Sequence, residues 1–299
     1  MYPRWFNVAV VALWLATMSW LIATKVVPSL LVGEPPNYTT ILSAQRADPP
    51  VGWVMDWDDR RLGWAVSMTS AIPQGLTEVR SRVHFEYLPL DEMVPDWLRP
   101  ILPSFGDRRL QVPMDSRSNL VFDPLGRLSR FESSVAFASQ EPFVKVRGSV
   151  DGAKMALWIR VGDLPPFETE VTIPRNAMLG DTLSPQSRLP GLREGQVWTM
   201  ESYSPLRPPN SPSEILCATV ESRAPIFWNG QVADAFLVVY RSDPGAAIGS
   251  AGSARGKLWV RRDGMVLRQQ VTVFRSALTF VRLPERESGR LAAALDSAR

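Results

Sequence analysis

The sequence predicts a mainly β protein. It has a large curved antiparallel sheet, as a half-barrel or sandwich with one or two short helices, behind one N-terminal transmembrane helix. Three observations predict it. Alternating apolar and polar runs flank Asp151-Gly152, Asn229-Gly230 and Asp263-Gly264, dipeptides that favour two-residue hairpin turns. Among 299 residues there are 26 prolines and 19 glycines, a composition rich in turns. No charged residue falls between Trp5 and Thr24.

The N-terminal run is read first. About 20 residues at ~1.5 Å rise would span ~30 Å, a hydrocarbon thickness, whereas secretory apolar regions are usually ~7–15 residues long. Ile22-Ala23-Thr24 is a poor cleavage site. The expectation is a retained signal anchor at 5–27, with a stub at 1–4 on the cytoplasmic side. Ala9, Ala12, Ala16, Ser19 and Ala23 recur at steps of three and four. They form a small-residue seam on which another membrane helix can pack closely. Trp5 and Trp20 read as interfacial belt residues.

Residues 28–50 hold Pro28, Pro35, Pro36, Pro49 and Pro50 and read as an extended linker. The β domain is expected over 51–284. Its strand pairs are Gly63–Ser70 with Thr77–Leu88, Asn119–Phe122 with Leu128–Phe137, and Phe143–Val150 with Ala153–Val161. Pro225–Trp228 pairs with Gln231–Arg241, and Lys257–Arg262 with Met265–Phe274. Trp53–Arg60, with three close carboxylates and two arginines beside them, reads as a solvated turn before a strand. Leu88–Phe105 carries apolar residues at helical spacing and predicts a short helix or plug. Gly245–Gly256 reads as a flexible hairpin loop, and 285–299 as a tail with at most one helical turn.

Composition excludes several functions. A net charge of +3 and a pI near 9.2 arise from mixed Arg-Asp and Arg-Glu stretches without a basic run, which argues against nucleic-acid binding. One cysteine, Cys217, and one histidine, His84, cannot build a conventional zinc site. Nor do they read as a nucleophile and its base: both lie in plain strands, and no third residue orients them. Gly252–Leu258 superficially resembles a phosphate loop, but its spacing is wrong and it leads into a strand. No catalytic, cofactor or metal residues are expected. Trp97, Leu98 and Trp158 remain as a candidate surface for an apolar ligand or a partner.

Three stretches carry a resemblance: Phe122–Leu128 (FDPLGRL), Gly191–Trp198 (GLREGQVW) and Leu258–Leu267 (LWVRRDGMVL). Across about residues 60–283 the chain resembles membrane-anchored periplasmic β-rich proteins similar to the lipoprotein-carrier (LolA/LolB-like) half-barrel group. The resemblance implies a curved antiparallel sheet partly closed by short helices, whose concavity in the carriers binds acyl chains. No residue-level lipid motif is shared, so no binding residues carry over.

The functional expectation is a non-enzymatic accessory or scaffold subunit. It is single-pass in the inner membrane with its bulk in the periplasm, and it docks on other transmembrane helices through the seam. The alternative is a lipid- or lipoprotein-binding module using the concave sheet face.

Overall fold

The computed structural model describes residues 4–22, 38–87, 113–137, 141–172, 185–203, 213–242, 254–273 and 276–296. The expected helix at 88–105 and most of the expected loop at 245–256 lie outside them. Two helices precede the sheet, α1 (Arg4–Leu21) and α2 (Tyr38–Arg46). The strands are β1 (Val51–Trp57), β2 (Arg60–Ile72), β3 (Leu76–Phe85), β4 (Met114–Phe122), β5 (Leu128–Phe137), β6 (Val144–Asp151), β7 (Lys154–Val161) and β8 (Phe167–Thr172). Then come β9 (Val197–Tyr203), β10 (Ser213–Trp228), β11 (Gln231–Ser242), β12 (Ala254–Arg261), β13 (Val266–Val273) and β14 (Ser276–Arg282), and helix α3 (Glu285–Asp296) closes the chain.

All 14 strands belong to one antiparallel sheet, in the order β8-β7-β6-β5-β4-β3-β2-β1-β14-β13-β12-β11-β10-β9. The fold is therefore mainly β with one continuous sheet, not a two-sheet sandwich. Each predicted strand pair is present with shifted ends; the largest change is the expected Pro225–Trp228, which is part of the 16-residue strand β10. Asn229 and Gly230 both adopt positive φ, 49° and 77°, as a two-residue turn matching the sheet twist requires.

Three regions correct the sequence reading. Val51–Trp57 is a strand, not a solvated turn: Val51, Trp53, Met55 and Trp57 alternate into the core, and Trp53 and Met55 are fully buried. The turn is only Asp58-Asp59, at φ 46° and 63°. It docks on β14, where Asp58 accepts a hydrogen bond from the Ala277 amide at 2.8 Å. Within the expected linker, α2 buries Ile41 and Leu42 against the sheet. The tail is the 12-residue helix α3, which packs on β1, β2 and β3. It follows Pro284 and carries Glu285 and Glu287 in its first turn, where the helix dipole favours acidic side chains.

At the N-terminus the described helix α1 has 18 residues, and residues 23–27 of the expected span 5–27 lie outside the described residues. No helix among the described residues is long and apolar enough to cross a membrane.

Both halves of the sheet contribute to the main core, and Leu42, Leu120 and Phe122 form a second, smaller cluster. The main core runs from Trp53, Ala65, Val83 and Phe85 on one side to Phe280, Leu258, Val238 and Val220 on the other. Segment 185–190 covers one end. Leu189 is buried there, its amide bonded to the Gly264 carbonyl at 2.7 Å. A charge network fixes this cover. The Arg188 guanidinium donates to both oxygens of Asp48 at 2.7 and 2.5 Å, and lies 3.8 Å from Asp263. Asp263 accepts from Arg261 at 3.0 and 2.5 Å. Arg282, buried over Trp53, donates to the Ser187 carbonyl at 3.0 Å. Burial pushes its guanidinium down to about 10.

The Arg261 hydrogen bond, ahead of the Met265 amide and Arg188, holds the Asp263 carboxyl below its ordinary value of 3.8. A depressed carboxylate contributes stability above its unfolded value and loses it as pH falls through its folded one. Asp263→Asn should therefore lower the urea midpoint near neutral pH, with the gap to the unsubstituted protein closing below pH 3.8. A gap constant from neutral to acid pH would contradict this.

Candidate functional site

Strands β4 to β8 carry different chemistry on their two faces. Their pairing aligns Leu120, Phe131, Gly148 and Leu157 on the apolar side. The opposite side aligns Asn119, Glu132, Arg147, Trp158 and Glu168, one from each successive strand. A parallel row holds Val121, Arg130, Ser149, Ala156 and Glu170. These two rows floor an open cleft of about 830 Å³. A smaller cleft of about 210 Å³ adjoins it beneath Leu295 of α3, sharing Asn119 and Glu132.

Trp158 is thus the one expected surface residue that the structure places in a concavity. Charged side chains share the cleft floor with Trp158. The Arg147 guanidinium lies 5.4 Å from the Trp158 ring centroid, a cation–π arrangement, and donates to Glu132 at 3.1 Å. Lys154 reaches Glu170 at 2.7 Å, though both are well exposed, so the pair adds little stability. Asn119 donates to Glu78 at 2.9 Å, while its own side-chain oxygen is buried without a partner. Along one flank runs a row of Arg82, Arg117, Ser134, Lys145 and Arg160, which contains no carboxylate.

The only histidine lies further along this face. His84 stacks on Trp64 at 5.4 Å, and its Nδ1 stands 3.3 Å from Asp115. Arg82 also binds Asp115, at 2.9 Å, and sits over Trp64. Cys217 is on β10, which β11 to β14, β1 and β2 separate from β3. The two residues are therefore not brought together. No group of three or more His, Cys, Asp or Glu among the described residues could hold a metal ion.

On α1, Ala12, Ala16 and Ser19 are all exposed. Ala9 lies within α1, but its side chain, like Ala23, Trp97 and Leu98, is outside the described residues. Sequence reasoning found Trp158 but missed Glu132, Arg147 and Glu168. The signal available was the period-two charge in Phe167-Glu168-Thr169-Glu170, which places both glutamates on one face of a strand.

No family model matches the chain, and no curated protein does. Among solved structures it is similar to the β-barrel-like protein of domain of unknown function DUF1849 from Brucella abortus. That match has 9% identity and a TM-score of 0.45, covering 78% of this chain and 94% of that one. It is also similar to MucB, solved in complex with MucA(peri), at 11% identity and a TM-score of 0.17, covering 85% and 96% respectively. Neither match places the chain in the lipoprotein-carrier group, and both are too distant for another protein's properties to be read across.

On the apolar side of the same strands, the packing depends on Gly148. A β-carbon there would stand 2.1 Å from Cε1 of Phe131, whose ring covers the glycine from the neighbouring strand, a pairing in which an aromatic protects a strand glycine. Gly148→Ala should cost about 1–3 kcal/mol by overpacking, read as a lowered urea midpoint, and Phe131→Leu in the same chain should recover part of it. An unchanged midpoint for Gly148→Ala would contradict this packing.

Proposed function

We propose that this protein is a non-enzymatic, membrane-tethered accessory subunit. In this reading α1 lies in a bilayer against other membrane helices, and the β domain stands on the extracytoplasmic side. The observation that carries it is the surface of α1. Every side chain described from Val10 to Ile22 is exposed, including Leu13 at 67% and Trp14 at 57%, with Trp20 at 73% near the end. A helix apolar on all sides needs a buried setting, either a large core or a membrane. Here no described side of it is covered by its own domain. Thr17 supports the same setting: its hydroxyl bonds back to the carbonyls of Leu13 and Trp14, each at 2.9 Å, so that hydroxyl presents no unsatisfied donor to lipid. The uncharged run to Thr24 continues past the helix end at Leu21. Ala12, Ala16 and Ser19 give the helix a side on which a second helix can approach closely.

The alternative, acyl-chain binding on the inner sheet face, draws less support. Trp53, Met55, Phe85 and Phe280 fill that face, and the open cleft is floored by charge.

Two measurements separate the parts of this reading. The full chain should stay with membranes through an alkaline carbonate wash, while a chain lacking residues 1–37 should be released. Release of the full chain would overturn the tether. In mild detergent, Ala12→Leu with Ala16→Leu should strip co-purifying membrane proteins. If they remain, docking through the small-residue side is wrong even where the tether stands.

A further inference from the structure

From the geometry of β8 we infer a docking edge for an extended segment of a partner protein, in which lysine or arginine alternates with uncharged residues. This inference concerns a different surface from α1 and does not depend on the membrane tether.

The sheet does not close among the described residues: β8 pairs with β7 on one side, and β9 ends the sheet at the far side. An unpaired edge strand presents a row of free amide and carbonyl groups, and adding a strand is a recurrent way of binding an extended peptide. The side chains of β8 then set which peptide fits. Glu168 and Glu170 point to the cleft side, while Phe167, Thr169 and Val171 point to the other. Glu168 makes no ion pair or hydrogen bond among the described residues. It ends the cross-strand row Glu132, Arg147, Trp158, Glu168, where the ion pair and cation–π contact sit on the inner strands. One more strand would place a residue opposite Glu168, at the ~4.5–5.5 Å separation at which opposite charges stabilise a strand pair. A cation there continues the row.

The same arrangement disfavours other occupants. A second copy paired antiparallel through β8 would set its own glutamates against these, and like charges directly opposite destabilise a sheet. The chain's other edge, β9, offers Trp198, Thr199, Met200 and Glu201 and no cation. An acidic segment meets the same repulsion. Charge and period together select a partner strand with basic residues at every second position.

The test uses the full-length protein and three fluorescent synthetic peptides of equal length. In the first, lysine or arginine alternates with threonine or valine. The second has the same composition with all cations at one end. The third is the alternating peptide with every second backbone amide N-methylated. The alternating peptide should bind saturably, the blocked peptide at least fivefold more weakly, and the methylated peptide not at all. Glu168→Gln with Glu170→Gln should weaken the first peptide at least fivefold. Both positions are exposed, so an unchanged urea midpoint checks that the variant folds. No saturable binding, equal binding by the blocked or methylated peptide, or a double variant that binds as well as the original would each overturn the proposal.

Discussion

The pairing of the first strand with the last is the constraint on which the rest of the structure depends. Trp53 to Trp57 run antiparallel to Arg282 to Leu278, joining two meanders, β1–β8 and β9–β14, that share no other ladder among the described residues. Once joined, they bury Trp53 and Phe280 in one core. The junction is reinforced from the opposite face by α3. The Ser288 hydroxyl accepts the Gly52 amide at 3.0 Å, and the Leu283 amide reaches the Gly52 carbonyl at 2.9 Å. The residue at 52 is glycine for a spatial reason: a β-carbon would meet the Ser288 backbone at 3.1 Å. Such distant pairing requires closing a loop of most of the chain before its contacts form, which makes folding slow.

How much was legible in the sequence follows from the range of each interaction. Hairpins at Asp151-Gly152, Asn229-Gly230 and Asp263-Gly264 were readable because turn chemistry is local. The β1–β2 hairpin was not, because Asp58-Asp59 reaches positive φ without glycine and its carboxylates resemble a solvated turn. Helix α2 sits in a proline-rich stretch, and among its described side chains only Ile41 and Leu42 are buried. Helix α3 was hidden because its packing partner, Gly52, lies far away in sequence. Trp158 was visible as a large aromatic in an alternating strand. The charges beside it were not, because Glu132, Arg147 and Glu168 come from three strands, and their alignment is set by register across separate turns.

The structure also separates two kinds of surface that composition had merged. The core side of the sheet is closed by side chains, by α2 and by the 185–190 cover held on Asp48, Arg188 and Asp263. The opposite side on β4–β8 is charged, and among the described residues it ends in the edge strand β8. Helix α1 is the reverse case, with its described side chains apolar in the main and exposed.

Native-state hydrogen exchange followed residue by residue tests the central role of the β1–β14 ladder most directly. If that ladder unites the two meanders, the amides of β1, β14 and their neighbours exchange only through global opening, and core amides of both meanders share one opening free energy. If one meander exchanges at a distinctly lower free energy while the other stays protected, or the β1–β14 amides open before either, the sheet is two units in contact and the account is wrong.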